Sequence, residues 1–426
     1  MALALVLTPG AGAWSQPAAA PAAIPSFPPG PDYAGVYGSH AENERITALC
    51  GANRNTKDGY VVKPLMADQT KAPQVKSQRG FNTEVVATLD RSVGLAFLPD
   101  GSMLVSQRAG GLRIVSPKGV VSAPLKGAPD IAGVMGTSNT GPLLDRDFAK
   151  TRILYYGYTA APPAKGQPFA GRIIKARLSA DGASLEDVKT IFEQPWLTPR
   201  RLVQARDGTL LIASGEVASG GPNPQSMTDP RGKILRINTD GSIPKDNPFL
   251  KTAGANPALY AVGFRDVQAA ALNPRNGELW VGENEPMGGD ELNRIKAGGN
   301  YGFPVISYGR QNSGALIDGG KTQAPGMEQP VYFWTPSIAP SGLTFYDGKA
   351  FPAWNNSVFV GAMSGRQLVR LEIKNGRVVG EEKLLTDRCK RTKDVKVGAD
   401  GFVYVITDET QSEILRLRPA GKPGVL

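Results

Sequence analysis

The sequence predicts an all-β fold, a six-bladed β-propeller built from four-stranded antiparallel blades. Glycine and proline are abundant, with 51 and 35 residues among 426, and such a chain makes many turns and few long helices. Apolar and polar residues alternate in short runs such as Phe402–Ile406, which is the pattern of a strand. Asp-Gly pairs recur between these runs, because glycine accepts a positive φ and aspartate caps its own backbone.

A weak repeat of this strand, turn and strand pattern begins at about Thr83. Its six units begin near Gly94, Gly141, Leu202, Ala270, Gly342 and Val395. A propeller explains the repeat, because closing the blades into a ring leaves only short, protected strand edges. A pair of β-sandwiches and a solenoid are the alternative architectures.

The region before the repeat is expected to lie outside the propeller. Residues 1–22 have the apolar core and small-residue cleavage region of an export signal, without its positive first region. Residues 23–80 are rich in Pro, Ala and Gly, as linkers are. We therefore expect a propeller over residues 81–420, a tail at 421–426, and a periplasmic or secreted protein. No other apolar run approaches the ~20 residues of a transmembrane segment.

The charge pattern does not favour nucleic acid as a partner. The formal net charge is +10, but the basic residues are scattered along the chain. The one tight cluster contains Arg388, Lys390, Arg391 and Lys393. The sequence has no basic helix and no basic residues interleaved with aromatic ones, so nucleic-acid binding is not expected.

Histidine and cysteine are too rare for the commonest metal sites. The only histidine, His40, lies in the extension, which excludes a His–His site and removes the commonest general base from the propeller. Cys50 and Cys389 form no CxxC pattern, so a cysteine-based zinc site is not expected. A disulfide between them in an oxidising compartment and two buried thiols are the alternatives.

The densest polar stretch runs from Tyr260 to Pro304, and loops held by a rigid scaffold are where sites are built. It begins with a turn that carries Arg265, Asp266 and Gln268. Its acidic, glycine-spaced loop follows a short strand and contains Glu283, Glu285, Asp290 and Glu291. Hard oxygen ligands in a turn suit Ca²⁺, although a solvated or turn-capping loop is the alternative.

Two other segments add candidate binding residues. Arg391 and Lys393 alternate around Thr392, which places both cations on one side of an extended segment. Together with Arg265 they suit a multiply anionic ligand, unless they are surface basic residues. Trp334 either stacks on a flat ring or packs inside the propeller.

From about Phe81 to Pro419 the chain resembles the quinoprotein glucose and sorbosone dehydrogenases, soluble enzymes that use pyrroloquinoline quinone (PQQ). A combination of motifs carries the resemblance: GSMLVSQRAGGLRIV, RGKILRINTDGSIPKDNPF, GFRDVQAAALNPRNGELWVGENEPMGGDELNRIKAGGNYGFP, FWTPSIAPSGLTFY and KDVKVGADGFVYVITDE. The resemblance implies a six-bladed propeller, a calcium ion, a small sugar substrate and an electron acceptor that the sequence does not identify.

The resemblance also implies roles for individual residues. The positions that match PQQ-binding residues of the family are Arg265, Asp266, Gln268, Trp334, Arg391 and Lys393, with Asp266 standing where the family has asparagine. Glu285 and Pro286 fall where the family's Gly-Pro offers backbone carbonyls to Ca²⁺.

The chain departs from the family where the general base is expected. The family histidine lies in a segment like HFGGRL, and Leu197 occupies its place in Leu197–Leu202. The segment Gly136–Asp145 lacks a family glutamine, and Glu283–Pro286 replaces the family's EHGP. General-base catalysis is worth ~10²–10⁴-fold, and leucine cannot supply it.

The departure leaves the proton acceptor open at this stage. Either a carboxylate such as Asp266, Glu216 or Glu285 has taken the role, or the protein is a poor or inactive dehydrogenase. The alternatives to a dehydrogenase are a non-catalytic propeller that binds calcium or another ligand, and a propeller hydrolase of the lactonase kind.

Overall fold

The computed structural model describes residues 63–421 apart from 130, 132–138, 163, 165–166, 216–223 and 312. These residues form six antiparallel sheets arranged as the blades of a propeller, which confirms the predicted fold. Five sheets have four strands each. The remaining sheet has three strands within the described residues, and an isolated bridge joins Val115 to Val121 beside it.

The first three blades follow one another along the chain. Blade one contains β2 Ser92–Phe97, β3 Met103–Gln107 and β4 Leu112–Val115. Blade two contains β5 Asn139–Leu144, β6 Ile153–Ala160, β7 Ala170–Leu178 and β8 Leu185–Pro195, with a one-turn helix, α1 Phe148–Thr151, between its first two strands. Blade three contains β9 Pro199–Gln204, β10 Leu210–Ser214, β11 Lys233–Ile237 and β12 Leu259–Val262.

The last three blades repeat this order. Blade four contains β13 Val267–Leu272, β14 Leu279–Glu283, β15 Asp290–Arg294 and β16 Tyr332–Trp334. Blade five contains β17 Pro340–Phe345, β18 Ser357–Ala362, β19 Gln367–Lys374 and β20 Arg377–Leu384. Blade six contains β21 Thr392–Val397, β22 Val403–Thr407, β23 Gln411–Pro419 and β1 Phe81–Asp90. Short 3-10 helices, Ile317–Gly320 and Pro352–Trp354, lie in blades four and five.

The ring closes inside blade six. The first strand of the propeller, β1, pairs antiparallel with the last strand, β23, from Phe81 opposite Pro419 to Asp90 opposite Gln411. The innermost strands β2, β5, β9, β13, β17 and β21 each contact the next one around the ring, and β21 contacts β2. Each innermost strand is the one at which the chain enters its blade from the blade before. The six strands therefore run in the same direction, and their starts meet at one end of the central axis. We call this end the mouth.

The predicted Asp-Gly turns form as their chemistry requires. In the turn after β2, Asp100 Oδ1 accepts a hydrogen bond from Ser102 N–H at 2.9 Å, and Gly101 has a φ of +84°. The same arrangement recurs in blade six, where Asp400 Oδ1 accepts a hydrogen bond from Phe402 N–H at 3.0 Å. Only glycine takes this φ without strain, which explains why the pair marks the turn of so many blades.

The apolar core lies between neighbouring blades as six separate clusters. On β6, Tyr155 packs in the cluster shared with blade three, whereas its neighbour Tyr156 packs in the cluster shared with blade one. This division follows from the period of two, because successive side chains of a strand point to opposite faces of the sheet. Successive residues of one strand therefore pack against the blades on either side of it.

Part of the region before the propeller packs against its outer edge. Gln74 forms a parallel bridge with Glu381 of β20, and Val75 N–H donates to Glu381 O at 2.9 Å. Ser77 N–H donates to Glu382 Oε1 at 2.6 Å. This segment covers the edge of blade five, an edge that would otherwise present unpaired backbone groups. Within the described residues, the helices are all too short or too polar to cross a membrane.

Candidate active site

A chain of polar contacts joins three blades at the mouth. Arg200 Nε donates to Asp266 Oδ1 at 2.9 Å, and Gln268 Nε2 donates to Asp266 Oδ2 at 2.8 Å. Lys393 Nζ then donates to Gln268 Oε1 at 3.0 Å. These residues lie in or next to the starts of β9, β13 and β21, so ring closure brings together side chains that are far apart in sequence. We call Arg200, Asp266, Gln268 and Lys393 the mouth network.

Lys393 is the member of the mouth network that is most affected by its surroundings. Burial of its ammonium group and the charges of Arg201, Arg108 and Arg200 lower its pKa to about 7, and Asp408 opposes this effect only partly. A group with this pKa gains from any anion that approaches it. Lys393 is therefore a buried cation with cationic neighbours.

Arg391 lies beside Lys393, as the predicted alternation requires. Its guanidinium donates to Asp408 Oδ2 from Nε at 3.0 Å and from Nη2 at 2.9 Å. The sulfur of Met363 lies 3.5 Å from Arg391 Nη2 and 3.9 Å from Lys393 Nζ, so both cations approach the same atom. The other two basic residues of the cluster, Arg388 and Lys390, share one acidic partner, Glu413.

Arg265 borders the mouth network but faces the acidic loop. Its N–H donates to Glu283 Oε2 at 2.8 Å, and its Nη1 donates to the carbonyl of Asn284 at 2.8 Å. Arg265 also lowers the pKa values of Glu283 and Glu285, though by less than their surroundings raise them. The structure thus places Arg265 between the predicted cofactor residues and the predicted calcium loop.

The acidic loop is buried, which the sequence does not predict. Asp290 is a capping residue: Oδ2 accepts hydrogen bonds from the N–H groups of Ile338 and Ala339 at 2.7 and 2.8 Å, and Oδ1 accepts one from Glu285 N–H at 2.8 Å. Burial nonetheless raises the pKa of Asp290 to about 6. The turn-capping alternative therefore describes Asp290.

The three glutamates of the loop form a repulsive cluster. Burial raises the pKa of Glu291 to about 8, and burial together with the charge of Glu291 raises the pKa values of Glu283 and Glu285 well above their usual range. Asn293 Nδ2 donates to Glu283 Oε1 at 2.9 Å and to Glu291 Oε2 at 3.0 Å, and Ser307 Oγ donates to Glu285 Oε2. Pro286 follows Glu285 in the same loop and is partly buried. In the part of the chain that the structure describes, no three acidic, histidine or cysteine side chains are grouped so as to hold a metal ion.

Trp334 lies apart from the mouth network. It ends β16, the outermost strand of blade four, and is buried in the core shared with blade five. Its Nε1 donates to Glu381 Oε2 at 3.2 Å, and Tyr332 Oη donates to the same oxygen at 3.0 Å. These contacts are those of the packing alternative, and none of its described contacts reaches the other predicted cofactor residues.

Leu197 is also a core residue. It is fully buried between blades two and three, in the cluster that contains Tyr155 and Ile173. The next residue, Thr198, donates from Oγ1 to the carbonyl of Gly215 at 2.6 Å, and Gly215 forms a bridge with Asp266. The backbone at 197–198 is therefore near the mouth, but the side chain of Leu197 belongs to the core.

Sequence reasoning misses Arg200, which the structure places in the mouth network. The available signal is the pair of successive arginines, Arg200 and Arg201, at the start of an innermost strand. Arg201 turns away and donates from Nη2 to the carbonyl of Lys393 at 3.0 Å. Glu216, His40 and Cys50 lie outside the described residues. Cys389, two residues before Arg391, is disulfide-bonded.

The central channel below the mouth contains a cavity of about 290 Å³. Apolar residues of β2 and β5 line most of it, and Arg201, Asp394 and Lys396 supply its charged groups. Arg201 Nη2 and Lys396 Nζ both lie 3.8 Å from Asp394 Oδ1. The mouth network does not line this cavity, so the two are separate features of the axis.

A family profile described as Glucose / Sorbosone dehydrogenase matches residues 89–416. The aldose sugar dehydrogenase YliI of Escherichia coli (strain K12) is 37% identical over 352 residues, which cover 79% of this chain and 93% of that protein.

Solved structures of similar proteins agree with the profile. The soluble aldose sugar dehydrogenase from Escherichia coli in its apo form matches with a TM-score of 0.75 and 35% identity, over 80% of this chain and 99% of that one. The PQQ-bound form of an aldose sugar dehydrogenase from Streptomyces coelicolor matches with a TM-score of 0.63 and 25% identity, over 80% of this chain and 100% of that one.

Proposed function

The chain belongs to the glucose and sorbosone dehydrogenase family, and we propose that it oxidises a small sugar with PQQ bound at the mouth. Family membership supports oxidoreductase activity on a small-molecule substrate. The cofactor, the calcium ion and export from the cytoplasm are our proposals for this chain.

The mouth network is the observation that carries the proposal. Gln268 and Lys393 meet there from two blades, and Arg391 contacts the same sulfur as Lys393. PQQ carries three carboxylates, and arginine and lysine are the side chains that bind carboxylates best. The lowered pKa of Lys393 supports the fit, because an anionic ligand would offset the burial and the cationic neighbours that lower it.

The chain's own residues must position the sugar and take one proton. When bound, PQQ supplies a two-electron acceptor for the hydride of the anomeric carbon. The proton of the anomeric hydroxyl must go to the protein, and the fully buried Leu197 cannot accept it. We assign this role to Asp266, whose side chain is 14% exposed at the mouth, in preference to Glu285, which is 4% exposed and is bonded to Ser307.

Both oxygens of Asp266 are already hydrogen-bonded. Arg200 and Gln268 each donate to one of them, at 2.9 and 2.8 Å. A general base must be within hydrogen-bond reach of the proton that it removes. The anomeric hydroxyl must therefore approach a remaining lone pair of this carboxylate.

Calcium is proposed at Glu285 and Pro286. The support is electrostatic: burial and the charge of Glu291 raise the pKa values of Glu283 and Glu285, and a dication would offset both effects. These side chains do not form a complete cage within the described residues, so we derive no catalytic step through the ion. Calorimetric titration with Ca²⁺ tests the site, and Glu285→Gln should weaken binding while Glu278→Gln, at a half-exposed surface position, should not.

Export to the periplasm or beyond is supported by the disulfide at Cys389, because disulfides persist in oxidising compartments. Fractionation of cells that express the full chain, followed by mass measurement of the isolated protein, tests this proposal. A protein found in the cytoplasm with an intact N-terminus contradicts it.

Reconstitution tests the function as a whole. The purified full chain is mixed with PQQ and Ca²⁺, the absorbance of the cofactor is recorded, and aldoses are added with an artificial electron acceptor. Bound cofactor and bleaching of the acceptor support the proposal. Failure to bind PQQ at micromolar protein contradicts it, and a lactone hydrolysis assay then separates a lactonase from a non-catalytic propeller.

A further inference from the structure

Arg200 uses only part of its hydrogen-bonding capacity. Its Nε donates to Asp266 Oδ1 at 2.9 Å, and this is the only bond that the guanidinium makes to the described residues. A guanidinium has five N–H donors in a fixed plane, so neither terminal nitrogen is engaged by a residue that the structure describes. The side chain of Arg200 is 20% exposed and that of its partner is 14% exposed, which places both at the solvent side of the mouth.

The ion pair of Arg200 and Asp266 is closely packed against the backbone of Gly215. Gly215 lies directly against it: a Cβ at this position would come within 2.1 Å of Asp266 Oδ1 and 2.8 Å of Arg200 Nε. The backbone of Gly215 also forms a bridge with Asp266. The absence of a side chain at Gly215 therefore makes room for the pair, which anchors Nε of the guanidinium and leaves its terminal nitrogens without a partner in the described part of the chain.

Arg200 forms an ion pair with Asp266, and this is its one acidic partner among the described residues. Asp266 accepts one hydrogen bond from Nε of Arg200 and a second from the neutral Gln268, so the pair does not use the terminal nitrogens of Arg200. Arg391 has its own carboxylate partner in Asp408. Burial lowers the pKa of Lys393 most, and Arg200 is one of the cationic neighbours that lower it further.

We propose that Arg200 binds the carboxylate of an acidic sugar, so that the preferred substrate is a uronic acid rather than a neutral aldose. The inference rests on the proposed function, since it names the substrate class of the same site. An anchored guanidinium offers two parallel N–H groups to a carboxylate, a geometry that a neutral hydroxymethyl group does not match. A site built to bind one polar group discriminates strongly against an analogue that lacks it.

The chemistry of oxidation is unchanged by this substrate. When bound, the quinone would supply the acceptor for the hydride of the anomeric carbon, and Asp266 would take the proton of the anomeric hydroxyl. The carboxylate on Arg200 takes no part, so the product is a lactone of the corresponding diacid. Arg200 therefore acts on binding and selection, while the electrons and the proton follow the same route as for a neutral sugar.

The test compares D-glucuronate with D-glucose, which differ in the carboxylate alone. Binding to the full chain is measured by calorimetry at fixed ionic strength, with and without PQQ, for the wild type, Arg200→Gln, Arg200→Lys and Arg275→Gln. The last variant is the matched control, because Arg275 is an exposed arginine in the turn after β13, away from the mouth. Thermal unfolding of each variant checks that the fold is retained.

The wild type should bind glucuronate roughly 10- to 100-fold more tightly than glucose, and Arg200→Gln should remove this preference. Arg200→Lys should keep part of it, and Arg275→Gln should keep all of it. Equal affinity for the two sugars, or a preference that survives in Arg200→Gln, overturns the proposal.

A loss of PQQ affinity in Arg200→Gln with unchanged sugar preference also overturns the proposal, since it makes Arg200 a cofactor contact. Sugar binding is measured without the cofactor as well. A chain that selects glucuronate but never binds PQQ would therefore refute the proposed function and leave the role of Arg200 standing.

Discussion

Arg200 Nε and Asp266 Oδ1 lie 2.9 Å apart and join the innermost strands of blades three and four. An aspartate without a cationic partner at this position would repel the carboxylates of the proposed cofactor. With Arg200 in place, the local charge of the pair is neutral and Gln268 links it to Lys393. The two residues are therefore best understood together.

Removal of the Asp266 carboxylate tests its role as proton acceptor. Asp266→Asn keeps the size of the side chain but cannot take a proton, so quinone-dependent turnover should fall about 100-fold or more. Glu285→Gln is the matched variant and should leave turnover far less affected at saturating Ca²⁺. Steady-state kinetics with PQQ-loaded protein gives the comparison, and the reverse order of effects would make Glu285 the acceptor.

Restoring a histidine at position 197 should not restore a base. Leu197 is fully buried among apolar side chains, so Leu197→His buries an imidazole without a partner. The free energy of unfolding should fall by about 1–3 kcal/mol, whereas Leu197→Met should cost less than about 1.5 kcal/mol. Urea denaturation measures both variants. A rise in sugar oxidation by Leu197→His at unchanged stability would show that the side chain reaches the mouth.

A methyl group at Gly215 should separate the ion pair. The added Cβ would lie 2.1 Å from Asp266 Oδ1, which is closer than any real contact, so the carboxylate or the strand must move. Gly215→Ala should therefore lower both the melting temperature and the affinity for PQQ. Gly80→Ala is the control, because its nearest neighbour is 3.7 Å away. Equal melting temperatures for the two variants would contradict the close packing of the pair.

The pKa of Lys393 predicts a dependence of stability on pH. The unfolded chain keeps this lysine protonated up to its ordinary range near 10.5, whereas the folded chain releases the proton at about 7. Between these values the unfolded state binds more protons, so raising the pH favours the folded state. The unfolding free energy of the wild type, relative to Lys393→Met, should rise between pH 7 and 10. Lys374→Met, at an exposed position, should show no such difference.

Trp334 offers a direct choice between packing and cofactor binding. Its indole is buried and donates to Glu381, so Trp334→Phe should lower the free energy of unfolding by about 1–3 kcal/mol. Packing alone predicts that PQQ affinity remains as in the wild type, measured by cofactor absorbance. Trp196→Phe serves as the control, since Trp196 is 41% exposed. A selective loss of PQQ affinity in Trp334→Phe would return Trp334 to the cofactor site.

The fold could be predicted because its signals are local. The Asp-Gly turns and the alternation seen in Tyr155 and Tyr156 act within a few residues, and these features determine strands, turns and blade interfaces. The placement of Arg391 and Lys393 on one side of β21 follows from the same alternation, and both approach Met363.

The site was less predictable because its contacts are distant in sequence. Arg200 meets Asp266 across 66 positions, and no local pattern distinguishes this arginine from a surface one. The burial of Trp334 depends on Glu381, 47 positions later in blade five. The acidic loop looks solvated in sequence, yet Ser307 from a later loop of the same blade and Ile338, just before blade five, help to bury it.

The pairing of β1 with β23 also constrains biosynthesis. β1 is the first strand of the propeller to leave the ribosome and β23 is the last, so the partner of β1 is missing while every other strand is made. A sheet edge with unpaired backbone groups invites pairing with other nascent chains. Chaperone demand during synthesis should therefore be high, and a stop codon just before Gln411 should yield insoluble protein although five complete blades precede it.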